Sequence, residues 1–273
     1  MPIPRNAVML MPWGRVGSNL VNDIVRQTGR SVFNEPLTGV ESRGRHAGLG
    51  AEGIAAAQAD WLRENLKPGA APWFLNLSAL SVGDPEATAT YLDQFDPIWI
   101  ILDRQDIPAT VLSSLRIEAW VAEGRRIGEH RGWAIPKGRN SAFRPYVAPA
   151  DLRRVMRYVD IGRSVMERMV SGRKTRRYWY EDILLDLQGT VTDILHQVGL
   201  GTTLPQPRTG RFGTDHLSSM VANPVELAEV IREEGALTRL ILPPPDAPPD
   251  TPAQGGAEVA IAAPSKAAGN GAR

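Results

Sequence analysis

Ala7 to Met11 form a short apolar run that leads at once into Gly14, Arg15 and Gly17. Leu20, Val21, Ile24 and Val25 then follow at helical spacing behind Ser18. This reads as a buried strand, a tight turn and the first turns of a helix. A strand that feeds a glycine loop into a helix N-terminus is a recipe for holding a phosphate or sulfate. The loop amides point inward, the helix dipole favours an anion, and Ser18 adds a hydroxyl. An ordinary strand-to-helix turn has the same local pattern, so the loop needs support from elsewhere in the chain.

Two familiar nucleotide loops are excluded. A nucleoside-triphosphatase loop needs Gly-Lys followed by Ser or Thr, with the lysine on the terminal phosphates. Here Ser18 and Asn19 follow Gly17, and no lysine occurs before Lys67. The dinucleotide fingerprint fails on glycine spacing, because Gly14-Arg15-Val16-Gly17 does not match it.

The rest of the chain alternates strands and helices. Strands are expected at 6–12, 31–33, 72–78, 97–103 and 177–181. Helices are expected at 18–29, 51–66, 85–95, 107–124, 149–171 and 187–198. The helix at 51–66 should bury Ala55, Ala59, Leu62 and Leu66, and Asp84-Pro85 reads as the cap and first turn of the next. Residues 38–50 and 125–150 read as Gly- and Arg-containing loops over the site. Such alternation implies a mainly parallel sheet with helices on both faces. Ligands of these sheets bind at the carboxyl ends of the strands, where Arg15, Glu35 and Arg104 all fall. From Pro243 to Arg273 the composition turns to Pro, Ala and Gly, which is expected to be a disordered tail behind an α/β domain over 1–242.

Four patches carry a family resemblance: Arg15-Val16-Gly17-Ser18-Asn19, Phe33-Asn34-Glu35-Pro36-Leu37, the Arg104 and Ser113 pair, and Tyr180-Glu181-Asp182-Ile183 running on to Val198-Gly199-Leu200. At these residues the chain resembles the sulfotransferases that use 3′-phosphoadenosine 5′-phosphosulfate (PAPS), in particular the carbohydrate and bacterial trehalose-type enzymes. Asn223-Pro224-Val225-Glu226-Leu227 is similar to the closing helix of that family. The patches span residues 5 to 232, and their order is more specific than any one of them. Asn19, Asn76 and Gln105 depart from the usual residues at their positions.

The resemblance implies a P-loop NTPase-like three-layer α/β/α fold with PAPS as co-substrate; no metal is expected, because no pair of histidines has metal-ligand spacing. It implies that Arg15, Val16, Gly17, Ser18 and Asn19 hold the 5′-phosphosulfate. Arg104 and Ser113 would hold the 3′-phosphate, and Arg208 or Arg211 would approach it from a later loop. Tyr180 would pack near adenine, with a core strand tyrosine as the equal alternative. Glu35 is the first candidate for the base that deprotonates an acceptor hydroxyl, and His46 is the second. The acceptor would be a small molecule, a sugar or a glycolipid.

Composition bounds the alternatives. Lys and Arg total 31 against 30 Asp and Glu, a net charge of +1, which does not suit general nucleic-acid binding. There is no cysteine, so disulfides, a thiol nucleophile and thiolate metal sites are excluded. Histidines are dispersed without metal-ligand spacing. No signal peptide or membrane span is expected, so a cytoplasmic, bacterial enzyme fits, and a homodimer is allowed. Two further readings stay open: a small-molecule kinase on a related scaffold, and a non-catalytic binding protein that keeps the fold.

Overall fold

All five residues of β1 (Ala7–Met11) are buried because β1 lies at the centre of the sheet. In this computed structural model, residues 3–123, 143–201, 216–236, 238 and 240 are described. After β1 the chain forms α1 (Ser18–Gln27), β2 (Ser31–Asn34), α2 (Pro36–His46), α3 (Ala51–Asn65) and β3 (Trp73–Ser78). A single 3-10 turn at Ala79–Ser81 leads to α4 (Pro85–Asp93), β4 (Ile98–Asp103) and α5 (Ile107–Ala122). Then come α6 (Pro149–Val170), β5 (Thr175–Trp179), α7 (Tyr180–Leu185), α8 (Leu187–Gln197), α9 (Leu217–Met220) and α10 (Pro224–Glu233).

The five strands are parallel and ordered β2-β3-β1-β4-β5. Both faces are covered, which is why β1, β3 and β4 read as nearly unbroken apolar runs. Val8, Leu10, Leu75, Leu77, Trp99 and Ile101 pack beneath α2, α3, α4 and the C-terminal end of α6. The alternate residues Ala7, Met9, Met11, Phe74, Ile100 and Leu102 pack beneath α1, α7 and α8. A third core joins α5, the N-terminal half of α6, α9 and α10, with Trp13 against it. The three-layer α/β/α architecture follows.

From β1 the chain crosses over to β2 on one side of the sheet, and from β4 to β5 on the other. The loops that leave β1 and β4 therefore diverge, and a crevice opens outside the ends of these two adjacent strands. Arg15 belongs to one loop and Arg104 to the other.

Three expectations need correction. The loop expected over 38–50 is mostly helix: α2 runs Pro36–His46 and buries Leu37, Val40 and Gly44. Pro36 supplies a first-turn φ, while Gly39, Gly44 and the arginines hide the helical period from a hydropathy reading. In α3 the buried stripe is Ile54, Gln58 and Leu62, continued by Leu66, one residue away from the expected Ala55 and Ala59. The polar Gln58 disguises it: its amide donates to Leu37 O at 3.0 Å and Ser81 O at 2.7 Å and accepts from Gly83 N at 2.7 Å. The strand expected at 177–181 ends at Trp179, and Tyr180 opens α7. The expected cap at Asp84 is present, its carboxylate accepting from Ala87 N at 3.0 Å. The tail expected over 243–273 lies outside the described residues.

Candidate active site

Val16 is buried in the core beside Ile183 and the strands, so its side chain anchors the loop. Arg15 takes a left-handed φ of 70° and Gly17 one of 89°. For a non-glycine residue that conformation is strained. Together they turn the chain sharply into α1. The first turn of α1 has neither a capping side chain nor an acidic residue, so the Ser18 and Asn19 amides have no intrahelical partner. The ring of Tyr180 lies against Gly17: a Cβ there would sit 2.9 Å from Tyr180 Cδ2.

Arg15 and Arg104 meet across the crevice. Arg15 Nε donates to Ser113 Oγ on α5 at 3.1 Å. Arg104 Nη1 reaches Arg15 O at 3.5 Å, and its guanidinium lies 4.6 Å from the Tyr180 ring centroid. Burial pushes Arg15 down to about 10; Tyr180 and Glu35 draw its charge back toward stability, while the Arg104 charge works against it. Two guanidiniums crowded together at a helix N-terminus form a ready site for a phosphate or sulfate group.

Glu35 follows β2 and stands at the N-cap position of α2 with φ 49° and ψ 45°, without a side-chain cap bond. Its N–H donates to Asn76 O at 2.9 Å. The preceding residue is pinned as well: Asn34 Oδ1 accepts from Asn22 Nδ2 at 2.6 Å and from Asn76 Nδ2 at 2.8 Å. Burial raises the Glu35 carboxyl above its usual range, with Arg15 pulling it partly back. A carboxylate so held is a stronger base than one in water.

The structure does not bring His46 to this place. It ends α2, roughly 15 Å along the helix from Glu35 by helical rise. It is exposed, and its Nδ1 pairs with Ser42 O at 2.7 Å. Arg208 and Arg211 lie outside the described residues.

Sequence reasoning missed three residues beneath Arg104. Asp103 is buried and receives Arg163 from α6 in bidentate fashion, Nε to Oδ2 and Nη2 to Oδ1, both 3.1 Å. On α7, the Glu181 carboxylate accepts from Gln105 N at 3.1 Å and Asp106 N at 3.2 Å. These pairs are 60 to 76 residues apart in sequence, and only the Tyr-Glu-Asp patch hinted at one of them.

No group of three or more His, Asp or Glu suited to a metal ion occurs among the described residues. No helix among them is long and apolar enough to cross a membrane.

No family model matches the chain, and no curated protein matches it. Solved structures do. A sulfotransferase from Alicyclobacillus acidocaldarius is 12% identical, with a TM-score of 0.47 over 85% of this chain and 92% of that one. The sulfotransferase domain from the curacin biosynthetic pathway is 16% identical, with a TM-score of 0.40 over 90% of this chain and 94% of that one.

Proposed function

We propose that this chain is a PAPS-dependent sulfotransferase acting on a hydroxyl of a small molecule or carbohydrate. The observation that carries the reading is the meeting of Arg15, Ser113, Arg104 and Tyr180 outside β1 and β4, with the uncapped start of α1 between them. In this reading the amides from Val16 to Asn19, the Ser18 hydroxyl and Arg15 bind the 5′-phosphosulfate. Arg104 and Ser113 bind the 3′-phosphate, and Tyr180 flanks the adenine.

Sulfuryl transfer then needs one proton moved and one bond exchanged. Glu35 takes the proton of the acceptor hydroxyl as its oxygen forms a bond to sulfur. The bond between sulfur and the bridging phosphate oxygen breaks, and 3′-phosphoadenosine 5′-phosphate (PAP) leaves. Arg15 and the loop amides stabilise the charge that grows on the leaving phosphate. The elevated Glu35 carboxyl suits the base role, because proton affinity near working pH favours transfer.

Calorimetric titration with PAP, with 5′-AMP and ADP as controls, tests this. Binding of PAP that is tighter than that of either control, and that falls to their level in Arg104→Ala, is the expected result. Equal affinity for all three in the unaltered protein would refute it.

A further inference from the structure

The residue assigned to the 3′-phosphate stands on a turn that is held from two sides by other elements. On one side is α6. Gly162 passes so close to the loop after β1 that a Cβ there would lie 2.2 Å from Pro12 O. The next residue, Arg163, binds Asp103 through two nitrogens and also donates from Nη2 to Arg104 O at 2.5 Å. Asp103 in turn accepts from Arg104 N at 2.7 Å. Both backbone polar groups of Arg104 are thus fixed by this one ion pair.

On the other side is α7. Glu181 takes the N–H groups of Gln105 and Asp106, and Asp106 caps α5 by accepting from Ala109 N at 2.9 Å. The same carboxylate lies 3.9 Å from Arg104 Nε, and both side chains are largely buried. Tyr180, the residue before it, carries the ring over which the Arg104 guanidinium lies. Backbone and side chain of Arg104 are therefore both constrained before any ligand arrives. Pre-ordering of this kind removes the entropy loss that a mobile arginine suffers on gripping a phosphate.

We propose that Glu181 and Arg163 are positioning residues that make the site discriminate a 3′-phosphorylated nucleotide from its unphosphorylated counterpart. Neither touches the nucleotide; each acts through Arg104. This rests on the sulfotransferase reading above. A purely structural role would lower stability and weaken PAP and 5′-AMP binding alike. A positioning role lowers the ratio of the two affinities, because 5′-AMP lacks only the group that Arg104 binds.

The experiment measures PAP and 5′-AMP dissociation constants by calorimetry for the unaltered protein, Glu181→Gln and Arg163→Lys, with thermal melts alongside. Lysine keeps the charge on Asp103 but cannot make the planar two-nitrogen contact. Glutamine keeps the shape of Glu181 but offers one acceptor oxygen where two amides need one each. The unaltered protein should prefer PAP, and each variant should lose about tenfold of that preference while 5′-AMP binding stays near its original value. If the protein prefers PAP and both variants keep the full preference, the positioning role is overturned and the sulfotransferase reading stands. The role is equally overturned if Glu181→Gln tightens PAP binding, since Glu181 would then be a competitor of the phosphate. If the unaltered protein shows no preference, the reading and the role fall together.

Discussion

Arg15 Nε donates to the hydroxyl of Ser113 at 3.1 Å, tying the loop after β1 to α5 across 98 residues of sequence. A hydroxyl that accepts one hydrogen bond still has its own proton to give. Ser113 thus fixes the Arg15 guanidinium and remains able to donate to the 3′-phosphate that the proposed reading places at Arg104. Its role is double, and both parts depend on the one hydroxyl.

Ser113→Ala removes both the acceptor for Arg15 and the donor for the anion. Each bond is worth about 1 kcal/mol, so PAP affinity should fall about fivefold to thirtyfold. Ser113→Cys, which retains a weak acceptor and a weak donor of similar size, should lie between. Calorimetric titration checks both, and unchanged affinity in Ser113→Ala would remove the residue from the site.

Glu35 makes a signed prediction with pH. Its carboxyl is raised in the folded protein, chiefly by burial, relative to 4.5 for the ordinary group. The folded state therefore favours the protonated form. That preference stabilises the fold at pH values below the unfolded pKa and is lost as pH rises through the folded one. At neutral pH the ionised carboxylate opposes folding, and Glu35→Gln relieves it. The variant should melt above the unaltered protein near pH 7.5, with the difference closing below about pH 4. PAP should still bind to it, while sulfuryl transfer should be lost. Melting curves across pH read the first effect, and a transfer assay reads the second. A variant that melted lower at pH 7.5 and higher at pH 4 would contradict the sign.

Gly17 combines two demands. Its φ of 89° suits glycine, and the Tyr180 ring leaves no space for a Cβ. Gly17→Ala should lower stability by about 2 kcal/mol, a melting shift of about 4–8 °C for a domain of this size. It should also weaken PAP binding by displacing Tyr180 from Arg104. Adding Tyr180→Ala relieves the contact but not the backbone strain, so the double variant should recover part of the melting loss and none of the affinity.

What the sequence made legible follows from how local each feature is. β1, its loop and α1 were readable because an unbroken apolar run, two glycines and a helical stripe lie side by side. The Asp84 cap is equally local, its bond reaching three residues ahead. α2 was not readable, because it contributes only Leu37, Val40 and Gly44 to the interior and its remaining positions are polar or small. His46 follows Glu35 closely in sequence, but α2 carries it to the opposite end of a helix. The left-handed backbone of Glu35 has no signature in a glutamate. The contacts of Glu181 with Gln105 and Asp106, and of Arg163 with Asp103, depend on α6 and α7 arriving beside the end of β4. No pattern within either segment announces that arrival.

Two arginines are buried to different ends. Among the described residues, Arg30 donates from Nη1 to Val198 O at 2.9 Å at the end of α8, while its Nε and Nη2 find no partner. Burial pushes it down to about 10, and its place at the C-terminal end of α8 is favourable to a cation. Arg163 instead binds, through two nitrogens, an aspartate that is only 1% exposed. Replacing a poorly compensated buried charge with an apolar chain is often neutral, whereas removing one partner of a buried pair strands the other. Arg30→Met should therefore shift the melting temperature by no more than about 2 °C in either direction. Arg163→Met leaves Asp103 with Arg177 Nη1 at 3.6 Å as its remaining cation and should cost about 3 kcal/mol, or about 6–12 °C. Scanning calorimetry on the two variants decides it, and equal losses would mean that pairing does not distinguish these sites.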